Sequence, residues 1–166
     1  MQKSNGMNGF PNFVALLGRR PQAWAYVQGS HDYPLVRGSL RFYQTAFGVL
    51  VVTEIMGLPD PGDLCMAPVY ALHIHEGRMC TGNSTDPYAD MGTHYNPNGC
   101  PHPYHRGDLP PLFSAGGYAY SVCLTNRFDL DEIIGRAIII HTRPDDFTTQ
   151  PSGNAGKKMA CGVIVG

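Results

Sequence analysis

The chain has 166 residues, enough to bury one full core and too few for two ordinary domains. Its net charge of −1 and its 15% of charged residues argue against a nucleic-acid surface and a polybasic membrane anchor. No stretch approaches the roughly 20 apolar residues of a membrane span, and no signal-peptide apolar region follows the first residues. We expect one domain without nucleic-acid or membrane partners, cytoplasmic as the chain stands and extracytoplasmic if a leader was removed.

The dominant hydrophobic period is two, and 20 glycines and 14 prolines punctuate short apolar runs. Strands are predicted in chain order at residues 23–28, 35–44, 47–56, 69–75, 109–114, 117–124, 136–141 and 160–165. Residues 128–134 could supply at most a turn or two of helix. The pattern predicts an all-β fold of about eight antiparallel strands, in a sandwich or flattened barrel.

Two long segments, 76–108 and 142–159, show no such period. Long ordered loops in a compact domain are usually functional. The first of them contains three of the seven histidines, and three more lie on the predicted strands that flank the loops. We therefore expect the functional site where these loops meet the sheet.

Six of the seven histidines follow a pattern typical of metal ligands. His73 and His75 are two apart on a strand and share a face, although an isolated pair of this kind is more often polar surface. His102, His105 and Asp108 recur at three-residue intervals in a loop, where a solvated polar loop is the alternative. His141 closes an apolar strand and by itself could be an ordinary edge residue. Together these residues predict a transition-metal site, with room for two ions.

Several segments, in the same order, resemble the copper/zinc superoxide dismutase family. Residues 73–77 (HIHEG) are similar to its copper-binding strand, and residues 92–97 (GTHYNP) to its bridging-histidine segment. Residues 105–109 (HRGDL) resemble the end of its zinc loop, and residues 134–146 its fourth copper-ligand region. Residues 153–156 (GNAG) and 160–164 (ACGVI) resemble its C-terminal signature. The resemblance runs from residue 23 to 166 and leaves residues 1–22 as an N-terminal extension.

The resemblance implies an eight-stranded Greek-key β-barrel of the immunoglobulin-like sandwich class, with two long functional loops. It implies a copper site made by His73, His75, His94 and His141. The implied zinc site consists of His94, His102, His105 and Asp108. His94 would contact both ions, unless it is an ordinary loop histidine. Asp145 would accept hydrogen bonds from a copper ligand and a zinc ligand, with His73 and His102 as the expected pair. Its alternative role is to begin the loop that follows.

The implied activity is the conversion of superoxide to dioxygen and hydrogen peroxide by copper redox cycling, with His94 as proton carrier. The alternative is a catalytically weak copper- and zinc-binding module for metal storage, delivery or structure. Partners could include a second copy of the chain and a copper donor.

One departure from the family concerns Lys158, which stands where the family generally carries an arginine that steers superoxide, and we favour the same steering role for Lys158. A lysine keeps the positive charge but lacks the planar fork, so we expect a working but slower enzyme. Solvated surface charge is the alternative for Lys158 and the interpretation we favour for Lys157. The loop 146–153 also has fewer charges than is usual in the family.

The resemblance also implies a disulfide between Cys80 and Cys161, with two buried free thiols as the alternative. Five cysteines are an odd set, so at least one is unpaired within the chain. Cys65 and Cys100 lie in predicted loops and could pair, whereas Cys123 is expected to pack inside a strand. In the N-terminal extension five apolar residues could pack on the barrel or on a partner: Phe10, Phe13, Val14, Leu16 and Leu17.

Overall fold

A computed structural model describes residues 12–63, 65–66 and 68–166. The strands are β1 (Ala23–Gly29), β2 (Arg37–Thr45), β3 (Gly48–Met56), β4 (Val69–His75), β5 (Asp108–Phe113), β6 (Tyr118–Thr125), β7 (Ala137–His141) and β8 (Lys158–Val165). Each predicted strand is present with ends within two residues of the prediction. The all-β prediction is therefore confirmed.

The eight strands form one antiparallel sheet in the order β5-β4-β7-β8-β1-β2-β3-β6. Hairpins join neighbours such as β2 and β3, while β4 crosses over to pair with β7, and β6 returns to pair with β3. The two edge strands, β5 and β6, lie against each other and nearly close the sheet into a Greek-key barrel.

Alternating side chains fill the interior of the barrel. On β1, Ala23, Ala25 and Val27 are buried, while Tyr26 points to solvent. On β4 and β7 both faces are buried, because a loop covers the outer face as well. This second layer makes the outer face of these strands a suitable place for a site shielded from water.

The β4–β5 loop, residues 76–107, forms the cover. Met91, Tyr88 and Cys80 from the loop pack on Ile139 and Cys161 of the sheet, in a cluster separate from the barrel core. A short 3-10 helix, Ala89–Met91, lies in this loop. The loop is thus a packed layer with its own apolar contacts.

Two short α-helices lie in the described part of the chain. The first, α1 (Phe13–Leu17), is not predicted from the sequence. Asn12 caps it by accepting a hydrogen bond from the backbone N–H of Ala15. The second, α2 (Leu130–Ile133), matches the predicted helical turn. No helix in the described part of the chain is long and apolar enough to cross a membrane.

Helix α1 lies on the outside of the barrel. Three of its side chains, Phe13, Leu16 and Leu17, pack on a small apolar cluster that includes Leu50 and Val52. Packing on the barrel is thus observed for these three, whereas Val14 is exposed. Phe10 lies outside the described residues. The division of the chain at residue 22 stays a prediction.

Candidate metal centre

His73 and His75 lie on the outer face of β4. They alternate with Leu72 and Ile74, which belong to the barrel core. The two imidazoles are only 0% and 2% exposed, so the alternative of a polar surface pair is wrong. Buried polar groups require partners, and the partners of these two define the site.

His94 is placed beside β4 by the backbone. The N–H of Tyr95 donates to the carbonyl of Ile74 at 2.8 Å, and the N–H of Glu76 donates to the carbonyl of Thr93 at 2.9 Å. These bonds bring the His94 ring to 3.9 Å from the His73 ring, between centroids. His94 is also buried, unlike an ordinary loop histidine on the surface.

His105 and Asp108 face each other in a tight turn before β5. The backbone N–H of His105 donates to Oδ2 of Asp108 at 3.0 Å, and Nη1 of Arg127 donates to the His105 carbonyl at 3.2 Å. His102 is fixed by Gln150, whose side chain exchanges two hydrogen bonds with the His102 backbone. These contacts connect the two long loops, and the buried side chains exclude the solvated-loop alternative.

The structure brings all seven predicted ligands into two adjoining groups. His73, His75, His94 and His141 form the first, and His94, His102, His105 and Asp108 form the second. Within each group the potential ligand atoms lie within 4.8 Å of one another. His141 joins as the last residue of β7, and its side chain is 4% exposed. His94 is common to both groups.

Hydrogen bonds determine which nitrogens of the first group are free. Nε2 of His73 donates to Oδ2 of Asp145 at 2.8 Å, so the lone pair lies on Nδ1, a buried atom without a partner. Nδ1 of His75 donates to the carbonyl of Gly92 at 3.1 Å. Nε2 of His75 therefore points its lone pair toward Nε2 of His141, 3.4 Å away. The lone pairs of His73 and His75 thus point into one group of ring nitrogens, as they would toward a bound cation.

The same reasoning applies to the second group. Nε2 of His102 donates to Oδ1 of Asp145 at 2.8 Å, so its Nδ1 lone pair faces the Asp108 carboxylate oxygen at 3.2 Å. A contact this short is favourable when a proton or a metal ion lies between the nitrogen and the oxygen. Nδ1 of His94 is 2.8 Å from Asp108 and 3.4 Å from Nδ1 of His105. Nε2 of His94 is buried without a partner on the opposite side of the ring.

Asp145 is the carboxylate that orients one histidine in each group. Burial raises the pKa of Asp145, but hydrogen bonds from His73, His102 and the backbone N–H of Phe147 lower it more. The net pKa is far below the ordinary value, so the carboxylate is ionised. The bond from Phe147 is also the contact expected of an aspartate that begins a loop. The role of Asp145 behind two metal ligands stays a prediction.

Three histidines of the first group, His73, His75 and His141, are neutral at neutral pH. Burial lowers the pKa of His141 to about 3, with further lowering by His73 and His94. Burial also takes the pKa of His75 well below its ordinary value, and it lowers the pKa of His73 despite the hydrogen bond with Asp145. A neutral imidazole is the form that binds a metal ion.

Lys158 lies in the wall of an open cleft that reaches His75, His94 and His141. Its ammonium binds Asp86, with Nζ 2.7 Å from Oδ2. Lys157 is exposed, consistent with surface charge. Sequence reasoning missed Asp86, since an Asp-Pro in a polar loop gives only a turn signal.

The structure contains a disulfide between Cys80 and Cys161, so the alternative of two free thiols is wrong. The suggested pairing of Cys65 with Cys100 is also wrong, because both are free. Cys100 is held in a local turn by two hydrogen bonds with Asn96, while Cys65 lies in the β3–β4 connection. Cys123 is free and packs against the core from β6, where burial raises its pKa to about 11.

The sequence model of the family described as copper/zinc superoxide dismutase (SODC) matches residues 36–164. "Superoxide dismutase [Cu-Zn] 2" of Aquifex aeolicus is 33% identical over 144 residues, covering 78% of this chain and 79% of the relative. "Superoxide dismutase [Cu-Zn]" of Photobacterium leiognathi is 34% identical over 141 residues, covering 76% of this chain and 78% of that relative.

The fold of this chain is similar to that of Cu/Zn superoxide dismutase from Brucella abortus, with a TM-score of 0.69 and 22% identity. The match covers 86% of this chain and 99% of the solved one. The chain is also similar to the protein described as "Copper chaperone for superoxide dismutase" of Rattus norvegicus. It is 28% identical over 155 residues, which are 86% of this chain and only 52% of the chaperone.

Proposed function

Because this chain belongs to the copper/zinc superoxide dismutase family, it is a superoxide dismutase that uses copper and zinc, and we propose which residues hold each metal. We assign copper to His73, His75, His94 and His141, a set of imidazole nitrogens suited to that metal. This group borders the open cleft, which leaves room for a small anion.

We assign zinc to His94, His102, His105 and Asp108. Three imidazoles and one carboxylate make a closed four-ligand set, the arrangement typical of structural zinc. Asp145 orients His73 and His102 and thereby fixes one ligand on each side. His94 would face both ions through its two nitrogens, which requires loss of both ring protons.

The single observation that supports the assignment is the set of free nitrogens. Four ring nitrogens are buried without partners: Nδ1 of His73, Nδ1 of His141 and Nε2 of His94 in the first group, and Nδ1 of His102 in the second. For His73, His94 and His102, a hydrogen bond through the other nitrogen of the ring directs the free lone pair into the group. Ordinary core histidines satisfy both nitrogens.

When bound, copper supplies one-electron exchange with superoxide, while zinc supplies charge and takes no part in the redox change. The residues then act on the substrate and its protons. Lys158 attracts the superoxide anion into the cleft. Nε2 of His94 takes a proton in one half of the cycle and donates it to the superoxide that is reduced to hydrogen peroxide in the other half. A second proton for the peroxide comes from solvent.

Single-ligand variants test the assignment by metal counting. His75→Ala should lose copper and keep zinc, because His75 belongs to the first group alone. His105→Ala should lose zinc and keep copper for the corresponding reason. His94→Ala should weaken both. His31→Ala, which removes a fully exposed histidine that belongs to neither group, is the matched control and should bind both metals normally. Loss of both metals in His75→Ala with an intact fold would contradict two separate sets.

Superoxide is the substrate. A homodimer and a copper donor stay predictions, which mass measurement in solution and copper-transfer assays can test. The compartment also stays a prediction. The Cys80–Cys161 disulfide is favoured in an oxidising compartment, so the redox state of these cysteines in the native protein would discriminate between cytoplasmic and extracytoplasmic placement.

A further inference from the structure

The ammonium of Lys158 is fixed by two acceptors in the β4–β5 loop. Nζ lies 2.7 Å from Oδ2 of Asp86 and 2.9 Å from the carbonyl of Tyr88. An ammonium has three N–H donors, so these contacts occupy two and leave one. The Lys158 side chain is only 17% exposed. It is therefore a partly buried, tethered cation, unlike a freely moving surface lysine.

Asp86 is itself held rigidly. Its Oδ1 accepts a hydrogen bond from the backbone N–H of Tyr88 at 3.0 Å, and its own N–H donates to Oδ1 of Asn83 at 3.0 Å. Its carbonyl accepts from the backbone N–H of Asn83 at 2.9 Å. Burial raises the pKa of Asp86, but the hydrogen bonds from Lys158 and Tyr88 lower it more. The carboxylate is thus ionised and aimed at the ammonium.

The position of this pair matters because Lys158 borders the cleft with His75, His94 and His141, whereas Asp86 lies behind it. An anion entering the cleft encounters a cation whose charge is largely offset by a carboxylate in direct contact. The attraction of a close ion pair falls with distance much faster than that of a single charge. The pair therefore reduces long-range attraction while keeping one ammonium N–H available.

We propose that Asp86 is a positioning residue that holds the Lys158 ammonium at the cleft wall and sets how strongly the cleft attracts anions. This inference rests on the proposed function, because it assigns anion attraction to Lys158. It adds a residue from the β4–β5 loop to the anion path. It also means that the lysine and its carboxylate act as one unit.

The first test is azide binding to the copper(II)-loaded protein, followed by visible absorption at several salt concentrations. Asp86→Asn keeps an oxygen that can accept from Lys158 but removes the negative charge. We expect Asp86→Asn to bind azide about two- to fivefold more tightly at low salt, because interactions of partly exposed ion pairs change affinities by about that factor. The affinity of this variant should also fall more steeply as salt is added. Asp86→Glu should restore the wild-type values.

Asp90→Asn is the matched control. Asp90 lies in the same loop and accepts a hydrogen bond from Oγ1 of Thr81 at 2.6 Å, so its substitution makes the same change in net charge away from Lys158. If Asp86→Asn and Asp90→Asn bind azide with the same affinity and the same salt dependence, the proposal is overturned.

A second readout needs no metal. Cyanate carbamylates the neutral form of lysine, and mass spectrometry of peptides can compare Lys158 with exposed Lys157 in the metal-free protein. Loss of the Asp86 charge should raise carbamylation of Lys158 relative to Lys157 by about two- to fivefold, and Asp90→Asn should not. An unchanged ratio would overturn the pairing. Absence of dismutase turnover, with both Asp86 effects present, would reject the proposed function and leave the Asp86 pairing in place.

Discussion

At the level of single residues, Asp145 determines which nitrogens of two histidines are free. Its two oxygens accept hydrogen bonds from Nε2 of His73 and Nε2 of His102, at 2.8 Å each. This leaves Nδ1 of each ring facing its group. The resemblance to the family singles out Asp145 in the sequence. Its two hydrogen bonds, however, depend on how the loop of residues 142–157 folds back over the sheet.

Asp145→Asn should weaken both sites, since an amide has one acceptor oxygen and cannot hold both histidines in the same tautomer. We expect a loss of about 10- to 100-fold in metal affinity, measured by competition with a chromophoric chelator. Asp146→Asn removes the same charge from the neighbouring residue, whose carboxylate contacts Thr148 and Thr149, and should bind metal normally. Equal affinities for the two variants would contradict the role of Asp145.

Lys158→Ala should lower the dismutase rate and flatten its dependence on salt, because the cation in the cleft wall is lost. Stopped-flow measurement of superoxide decay between low and high ionic strength checks both effects. Lys157→Ala makes the same change in charge at an exposed position and should retain the wild-type slope. Matching slopes for the two variants would show that Lys158 does not attract the substrate.

At the level of elements, the β4–β5 loop is the part that joins the site to the barrel. The disulfide from Cys80 to Cys161 spans 81 residues, and Tyr88 and Met91 pack beside it. The strands were predictable because period two and glycine punctuation are local signals. Helix α1 and the 3-10 helix could not be predicted from the sequence, because helices of five and three residues depend on tertiary packing more than on local propensity.

Cys80→Ser should lower the free energy of unfolding by about 2–4 kcal/mol, because the unfolded chain gains the conformational freedom that the cross-link removes. Urea denaturation of the metal-free protein measures this, and Cys65→Ser, at an exposed free cysteine, should cause little change. Metal binding should also weaken in Cys80→Ser, as the loop carries His94, His102 and His105. Unchanged stability would mean that the packing of Tyr88 and Met91 alone holds the loop.

At the level of the whole molecule, the fold assembles ligands from distant parts of the chain. His73 and His141 are separated by nearly 70 residues but lie on neighbouring strands, with ring centroids 5.0 Å apart. Resemblance identified all seven candidate ligands from the sequence. The ion pair of Asp86 with Lys158 could not be foreseen, because it depends on the packed path of a long irregular loop.

The metal-free protein should lose stability as the pH falls. The pKa of His141 is lowered to about 3, by burial first and by His73, and that of His75 is lowered well below 6.5. Between pH 6.5 and about 3 the unfolded chain binds protons that the folded chain does not, so the free energy of unfolding decreases with falling pH. Urea denaturation at pH 7, 5.5 and 4.5 measures it, and His141→Gln should reduce the slope. Stability that rose toward low pH would contradict the buried, neutral cluster.

Dismutase turnover per bound copper can be measured in protein that is reconstituted with both metals and analysed for metal content. The prediction is one copper and one zinc per chain with catalytic removal of superoxide, and no catalysis in protein loaded with zinc alone. A protein that binds both metals at these residues but does not remove superoxide catalytically would contradict it and favour a metal-binding module of the same fold.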